Sequence, residues 1–172
     1  MGFFFLIPWI IILIGWAIHV LVDRKPDRRT RHRVLELALL WVLVFGGAWT
    51  ILAALPHVTG GSSDTSSSIG YAPSMFEWEV GWGDIAIGVL GVGCAWRHFR
   101  DGWMTAAVVA LAISFWGDAV GHIMQLVAHD NHAPDNVWAI PADIGGPLLA
   151  LILLVLYRSG QRKARLAEAP AD

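Results

Sequence analysis

Asp118, His122, Gln125 and His129 recur at i, i+4, i+7 and i+11, which at 100° per residue puts them within about 60° of one another on one helix face. The stretch that carries most of this stripe, Met104 to Val127, is otherwise apolar. Carboxylate and neutral imidazole are natural ligands of zinc, iron or manganese, and an Asp-His pair one turn apart can reach a single ion. Two further acids, Asp84 and Asp143, fall inside other apolar runs. Counted inward from the run ends at about 1.5 Å per residue, Asp84 lies about 6 Å deep, His122 about 8 Å, Asp143 about 9 Å and Asp118 about 14 Å. Three helices thus bring an acid or an imidazole to one layer. The candidate site is His122, Asp118, Asp84 and Asp143, with Glu79 and His129 at its mouth. The segment His129-Asp130-Asn131-His132 offers a second, exposed pair of imidazoles.

Residue type and depth carry this expectation. There is no HExxH pair, no Glu-x-x-His pair and no cysteine cluster. Other uses of the same groups are open: Asp118 and His122 can hydrogen-bond across helices as packing contacts, at about 0.6–2 kcal/mol each, and chains of embedded Asp and His serve as proton relays in transporters and channels. Haem ligation by His122 meets no second histidine at matching depth, because His19 sits near the opposite end of its run and His57 at the very end of another. Ser114 lies one turn from Asp118, so a serine, an acid and a histidine share a face, yet the spaced ligand motifs of intramembrane hydrolases are missing. The one cysteine, Cys94, excludes an intramolecular disulfide and thiol-pair redox chemistry.

The elements that must position these groups are apolar runs: Phe3 to Val22, Val34 to Leu55, Val80 to Trp96, Met104 to Val127 and Val137 to Tyr157. Each is about long enough to cross a hydrocarbon core of roughly 30 Å as a helix. With 56% hydrophobic and 15% charged residues and a mean hydropathy of +0.56, the expected fold is all-α: one transmembrane domain, a bundle of five spans. No basic segment precedes the first run and no small-residue cleavage site follows it, so it reads as a span and not as a signal peptide.

Charge sets the expected orientation. All 12 Lys and Arg residues fall in the Arg24 to Arg33 turn, at Arg97 and Arg100, or at and after Arg158, which the positive-inside rule makes cytoplasmic. The N-terminus is then outside and the C-terminus inside. Asp64, Glu77, Glu79, Asp84, Asp118, Asp130, Asp135 and Asp143 collect toward the outer face, so the net charge of −2 conceals a polarised molecule. The basic face suits anionic lipid at about 1 kcal/mol per residue near the surface, and nothing calls for nucleic acid. Several of the 10 Trp, including Trp9, Trp49, Trp78, Trp82, Trp103 and Trp138, flank span ends as an aromatic belt. Trp116 is deep enough to line a cavity or meet lipid.

Glycine and proline refine the picture. Gly81, Gly83, Gly88, Gly91 and Gly93, with Gly117 and Gly121 on the next run, are expected to draw the Asp84 and Asp118 helices together. Pro147, after Gly145 and Gly146, is expected to break the fifth helix and leave the carbonyl of Asp143 seeking another donor or a cation. Thr59 to Ser74, rich in Gly and Ser, reads as a flexible outer loop.

The strings Phe76-Glu77-Trp78-Glu79-Val80-Gly81, Gly121-His122-Ile123 and Ala133-Pro134-Asp135-Asn136 resemble an uncharacterised family of small bacterial multi-span membrane proteins, over roughly residues 75–157. That resemblance implies a bacterial cytoplasmic membrane location and no reaction. In size and Trp content the chain also resembles the tryptophan-rich sensory protein family, which binds porphyrins and sterols, but the basic Asp23 to Arg33 turn replaces the Pro- and Trp-rich loop of that family. The expected function is binding of a divalent metal ion or other small ligand in an outward-facing pocket. A proton-coupled transporter or channel subunit and a structural subunit of a larger membrane complex are the alternatives, and the expected partners are the lipid bilayer and either further copies of the chain in a homo-oligomer or a larger membrane complex.

Overall fold

The computed structural model describes residues 2–59 and 62–168. The basic side chains of Arg100, Lys163 and Arg165, which enter the charge argument above, lie outside the described side chains. The elements are α1 (Gly2–Val22), α2 (Arg31–Leu40), a π-helical turn (Trp41–Phe45), α3 (Gly46–Val58), α4 (Ser62–Ser68), α5 (Phe76–Gly93), a 3-10 turn (Arg97–Phe99), α6 (Arg100–Ala128) and α7 (Pro134–Glu168). Helices α2 and α3 join through the π turn into one span. Among the described residues, four helices are long and apolar enough to cross a membrane: Phe3–Val22, Arg31–Val58, Gly102–Ala128 and Pro134–Arg162. The 18-residue α5 runs about 27 Å at 1.5 Å per residue, with Glu77, Glu79 and Asp84 along it.

The chain alternates direction, so the bundle has a basic end, with the Arg24 to Arg33 turn, Arg97 and Arg158, and an acidic end. The packed core sits toward the basic end. Leu39, Leu40, Val42, Leu43, Cys94, Met104, Val108, Ala150, Leu153 and Tyr157 close on one another there. At that end Thr30 caps α2 by accepting from the Arg33 N–H at 3.2 Å. The Arg33 guanidinium lies 2.7 Å from Asp23 and 2.6 Å from Glu36. The hydrogen bond from Arg33 holds the Asp23 carboxyl below its ordinary range.

Helix α1 is apolar all round, with Phe3, Leu13, Leu21 and Val22 exposed, as a lipid-facing helix requires. It docks through few anchors. Trp16 Nε1 donates to Val34 O at 3.2 Å, Trp41 Nε1 donates to His19 Nδ1 at 3.2 Å, and Gly15 lies under the Trp41 ring, where a Cβ would collide.

The glycines of α5 serve a different neighbour from the one expected. A Cβ on Gly47 would lie 2.6 Å from Gly88 O and 3.0 Å from Gly91 Cα, and one on Gly81 would lie 2.6 Å from His57 Cβ. Gly81, Gly88 and Gly91 therefore seat α5 on α3 and the π turn, while Gly93 does face the expected helix, lying under the Trp103 ring of α6. Gly83, Gly117 and Gly121 have nothing within 4 Å of a built Cβ. Helices α5 and α6 meet instead at the basic end, where Trp103 Nε1 donates to Leu90 O at 2.6 Å. The expected break at Pro147 is also absent: α7 runs through Pro141 and Pro147 as one helix, since neighbouring turns can absorb a proline when the missing bond is the only loss. Part of the expected outer loop folds as α4, with Ser66 fully buried.

Candidate functional site

The acidic end is organised by a few polar anchors. Past the end of α6, Asp130 adopts a left-handed conformation (φ 53), and the N–H groups of His129 and Asn131 both donate to Gln125 O, at 3.2 and 3.1 Å. This closes the helix and aims Asn131 outward. Asn131 Nδ2 donates to Ile69 O at 2.8 Å, and Gly70 (φ +76) leaves no room for a side chain beside Asn131. The segment after α4 is thereby stapled across the α6–α7 turn. It brings the Tyr71 ring to 6.2 Å from that of His122. Burial, with the charges of Glu77 and Asp118, pushes the Tyr71 phenol up. On the other side, His57 Nδ1 meets Glu77 Oε2 at 2.8 Å, tying α3 to the first turn of α5.

At the centre stands Asn136, fully buried on the first turn of α7. Its Nδ2 donates to Asn131 O at 3.0 Å and to His122 O at 3.3 Å. Its Oδ1 therefore faces His122 Nδ1, at 2.8 Å. An amide oxygen can only accept, so Nδ1 carries the hydrogen. In neutral His122 the free lone pair is then on Nε2, which points to Asp143 Oδ2 at 3.9 Å. That gap is too long for a hydrogen bond. Asp143 is buried at 8% exposure, and the charges of Asp118 and Asp84 both act on it.

Asp84, on α5, makes no hydrogen bond or ion pair among the described residues and lines a cavity of about 190 Å³. Asp118, on α6, is exposed along the open side of the bundle and is close enough for its charge to act on Asp84. The expected layer is thus present in part: Asp84, Asp118, His122 and Asp143 are within one another's electrostatic reach, on three helices. Glu79 is exposed on the first turn of α5. His129 lies exposed beyond the end of α6, so the stripe on that helix stops at Gln125. His132 and Asp130 pair at 3.0 Å on the exposed turn. Among the described residues, no three His, Cys, Asp or Glu side chains come together closely enough to hold a metal ion. Trp116 Nε1 donates to Ile144 O at 3.4 Å, tying α6 to α7.

Asn136, Asn131, Tyr71 and the His57–Glu77 pair do not follow from hydropathy or from ligand spacing. The one available signal was Asn136 itself, an amide immediately before the apolar run that begins at Val137 and hence in need of partners if the helix extends over it.

Fold and site together define an all-helical bundle of the membrane-spanning type, with an ionisable layer toward one end. The chain belongs to the family described as "Family of unknown function (DUF6790)", which matches residues 2–163. No curated protein and no solved structure matches it.

Proposed function

We propose that this chain is a five-span protein of the bacterial cytoplasmic membrane, N-terminus outside and C-terminus in the cytoplasm, that binds a small cationic ligand at its outer end. The observation behind this reading is the fixed tautomer of His122. With Nδ1 committed to Asn136, Nε2 of the neutral ring can only accept, and the groups around it, Asp143, Asp118 and Asp84, are acceptors too when ionised. No Lys or Arg side chain balances them among the described contacts, and a donor-only cation complements such a set. A metal ion belongs to this class, with His122 Nε2 and Asp143 as its first ligands and Asn136 as the group that orients the imidazole. An ammonium ion fits the set better, because two protein ligands leave a metal shell to be completed by water or substrate atoms.

The test is binding to the purified protein in lipid nanodiscs, with methylammonium and zinc as separate probes. Methylammonium should stabilise the wild type and lose that effect in Asp143→Asn, whereas zinc should bind weakly or not at all. Stoichiometric zinc lost in His122→Ala would move the reading to a metal centre, and no response to either probe would sink it.

A second reading, a proton-linked transporter or channel subunit, draws on three carboxyl groups and one imidazole in electrostatic contact across α5, α6 and α7. It requires flux in liposomes that follows an imposed pH gradient and disappears in Asp143→Asn.

A further inference from the structure

Beneath the ionisable layer and above the packed core lies the cavity of about 190 Å³. All five long helical segments contribute to its wall. Phe4, Phe5 and Trp9 of α1 and Phe115 of α6 supply aromatic surface, and Val42 and Leu43 of the π turn form part of its floor. A π turn inside a longer helix is often found at a functional site. Among the described residues, the side chains with polar groups on this space are Asp84, Thr50 and the indoles of Trp9 and Trp49. Thr50 is already committed, its hydroxyl donating to Gly46 O at 3.1 Å. Asp84 is not, and it has no hydrogen-bond or ion-pair partner among the described residues.

We infer that the cavity is an organic subsite: it takes the apolar, ring-sized body of a primary amine whose ammonium group pairs with Asp84. The inference rests on the cation-binding reading above and names its ligand class. Size supports a ring, since an apolar cavity of about 150 Å³ holds benzene and this one is somewhat larger. Charge supports a cation, because the charged group that acts on Asp84 is another acid, Asp118. The aromatic walls add attraction for a cation over a ring face. An ammonium group has three donors and no acceptor, matching Asp84 and the acceptors beyond it. A bare metal ion would leave the aromatic wall unused.

The experiment compares three probes on the full chain in nanodiscs: methylammonium, 2-phenylethylammonium and the uncharged isostere propylbenzene. The ring should tighten binding of the cation at least tenfold over methylammonium. Asp84→Asn should weaken 2-phenylethylammonium at least tenfold and leave propylbenzene unchanged. Gly46 lines the cavity and has nothing within 4 Å of a built Cβ, so Gly46→Leu fills the space without a backbone clash. That variant should abolish the advantage of the ring while methylammonium still binds. Equal affinity for the two cations, with both lost in Asp143→Asn, would overturn the organic subsite and leave the cation-binding reading standing. Failure of every cation to bind the wild type would remove both. Propylbenzene binding as tightly as the amine, indifferent to Asp84→Asn, would make the cavity a site for neutral lipophiles and overturn the assignment.

Discussion

Replacing Asn136 by Leu, a side chain of similar volume without polar atoms, isolates what the buried amide does. It removes three hydrogen bonds, to His122 Nδ1, His122 O and Asn131 O. In membrane helices such contacts average about 0.6 kcal/mol, and in proteins generally about 1 kcal/mol net, so three are worth about 2–3 kcal/mol. The variant also leaves the His122 N–H unpaired in a buried position, which costs about a further 1–3 kcal/mol. The expected loss of stability is therefore about 3–6 kcal/mol, read by detergent-induced unfolding in mixed micelles followed through tryptophan fluorescence. A second readout is independent of stability. Nitrogen-15 spectra of labelled His122 should show the hydrogen on Nδ1 in the wild type and a mixture of tautomers in Asn136→Leu. A loss under about 0.5 kcal/mol, or an Nε2-protonated wild-type ring, would refute the claim that Asn136 orients the site.

Single cysteines at Ser67 and His132, both exposed, should react with an impermeant thiol reagent in intact cells, while ones at Pro26 and Ser159 should not; the buried Cys94 gives little background, and labelling at Pro26 would invert the orientation. Gly47→Leu should destabilise the bundle by about 1–3 kcal/mol through overpacking against Gly88, while Gly117→Ala, with open space around it, should be close to neutral in the same unfolding assay; equal effects would contradict the α3–α5 contact. Asp23→Asn should lower the unfolding midpoint at neutral pH. Because the Asp23 carboxyl is depressed in the folded state, its stabilisation is present above the ordinary carboxylate value of about 4 and is lost as pH falls through the lowered one, so the wild-type and variant curves should converge in acid and a constant offset would exclude the Arg33 tie.

Helical type was legible because an apolar run of about 20 residues leaves the backbone no alternative but a helix in lipid, and four of the five expected runs lie on helices that are, among the described residues, long and apolar enough to cross a membrane. The depth estimate for Asp84, His122 and Asp143 also brought together side chains that the structure holds within electrostatic reach. Helix neighbours were not legible. The glycines of α5 announce a close contact without naming its partner: Gly81, Gly88 and Gly91 pack on α3, Gly93 alone meets Trp103 of α6, and the glycines of α6 stay open. The reach of the α6 stripe depended on where the helix ends, and the left-handed Asp130 ends it before His129. The orienting role of Asn136 rests on bonds to His122, 14 positions away in the chain, and the Asn131 tie to Ile69 spans 62 positions, pairings that local periodicity cannot register.

Equilibrium binding of methylammonium to the protein in nanodiscs, for wild type and Asp143→Asn side by side, tests the central claim most directly. Saturable binding by the wild type, weakened at least tenfold by this nearly isosteric loss of one charge, a difference of about 1.4 kcal/mol, is the result expected of a cation site facing His122 Nε2. Equal affinity in the two proteins, or no saturable binding by the wild type, would contradict it.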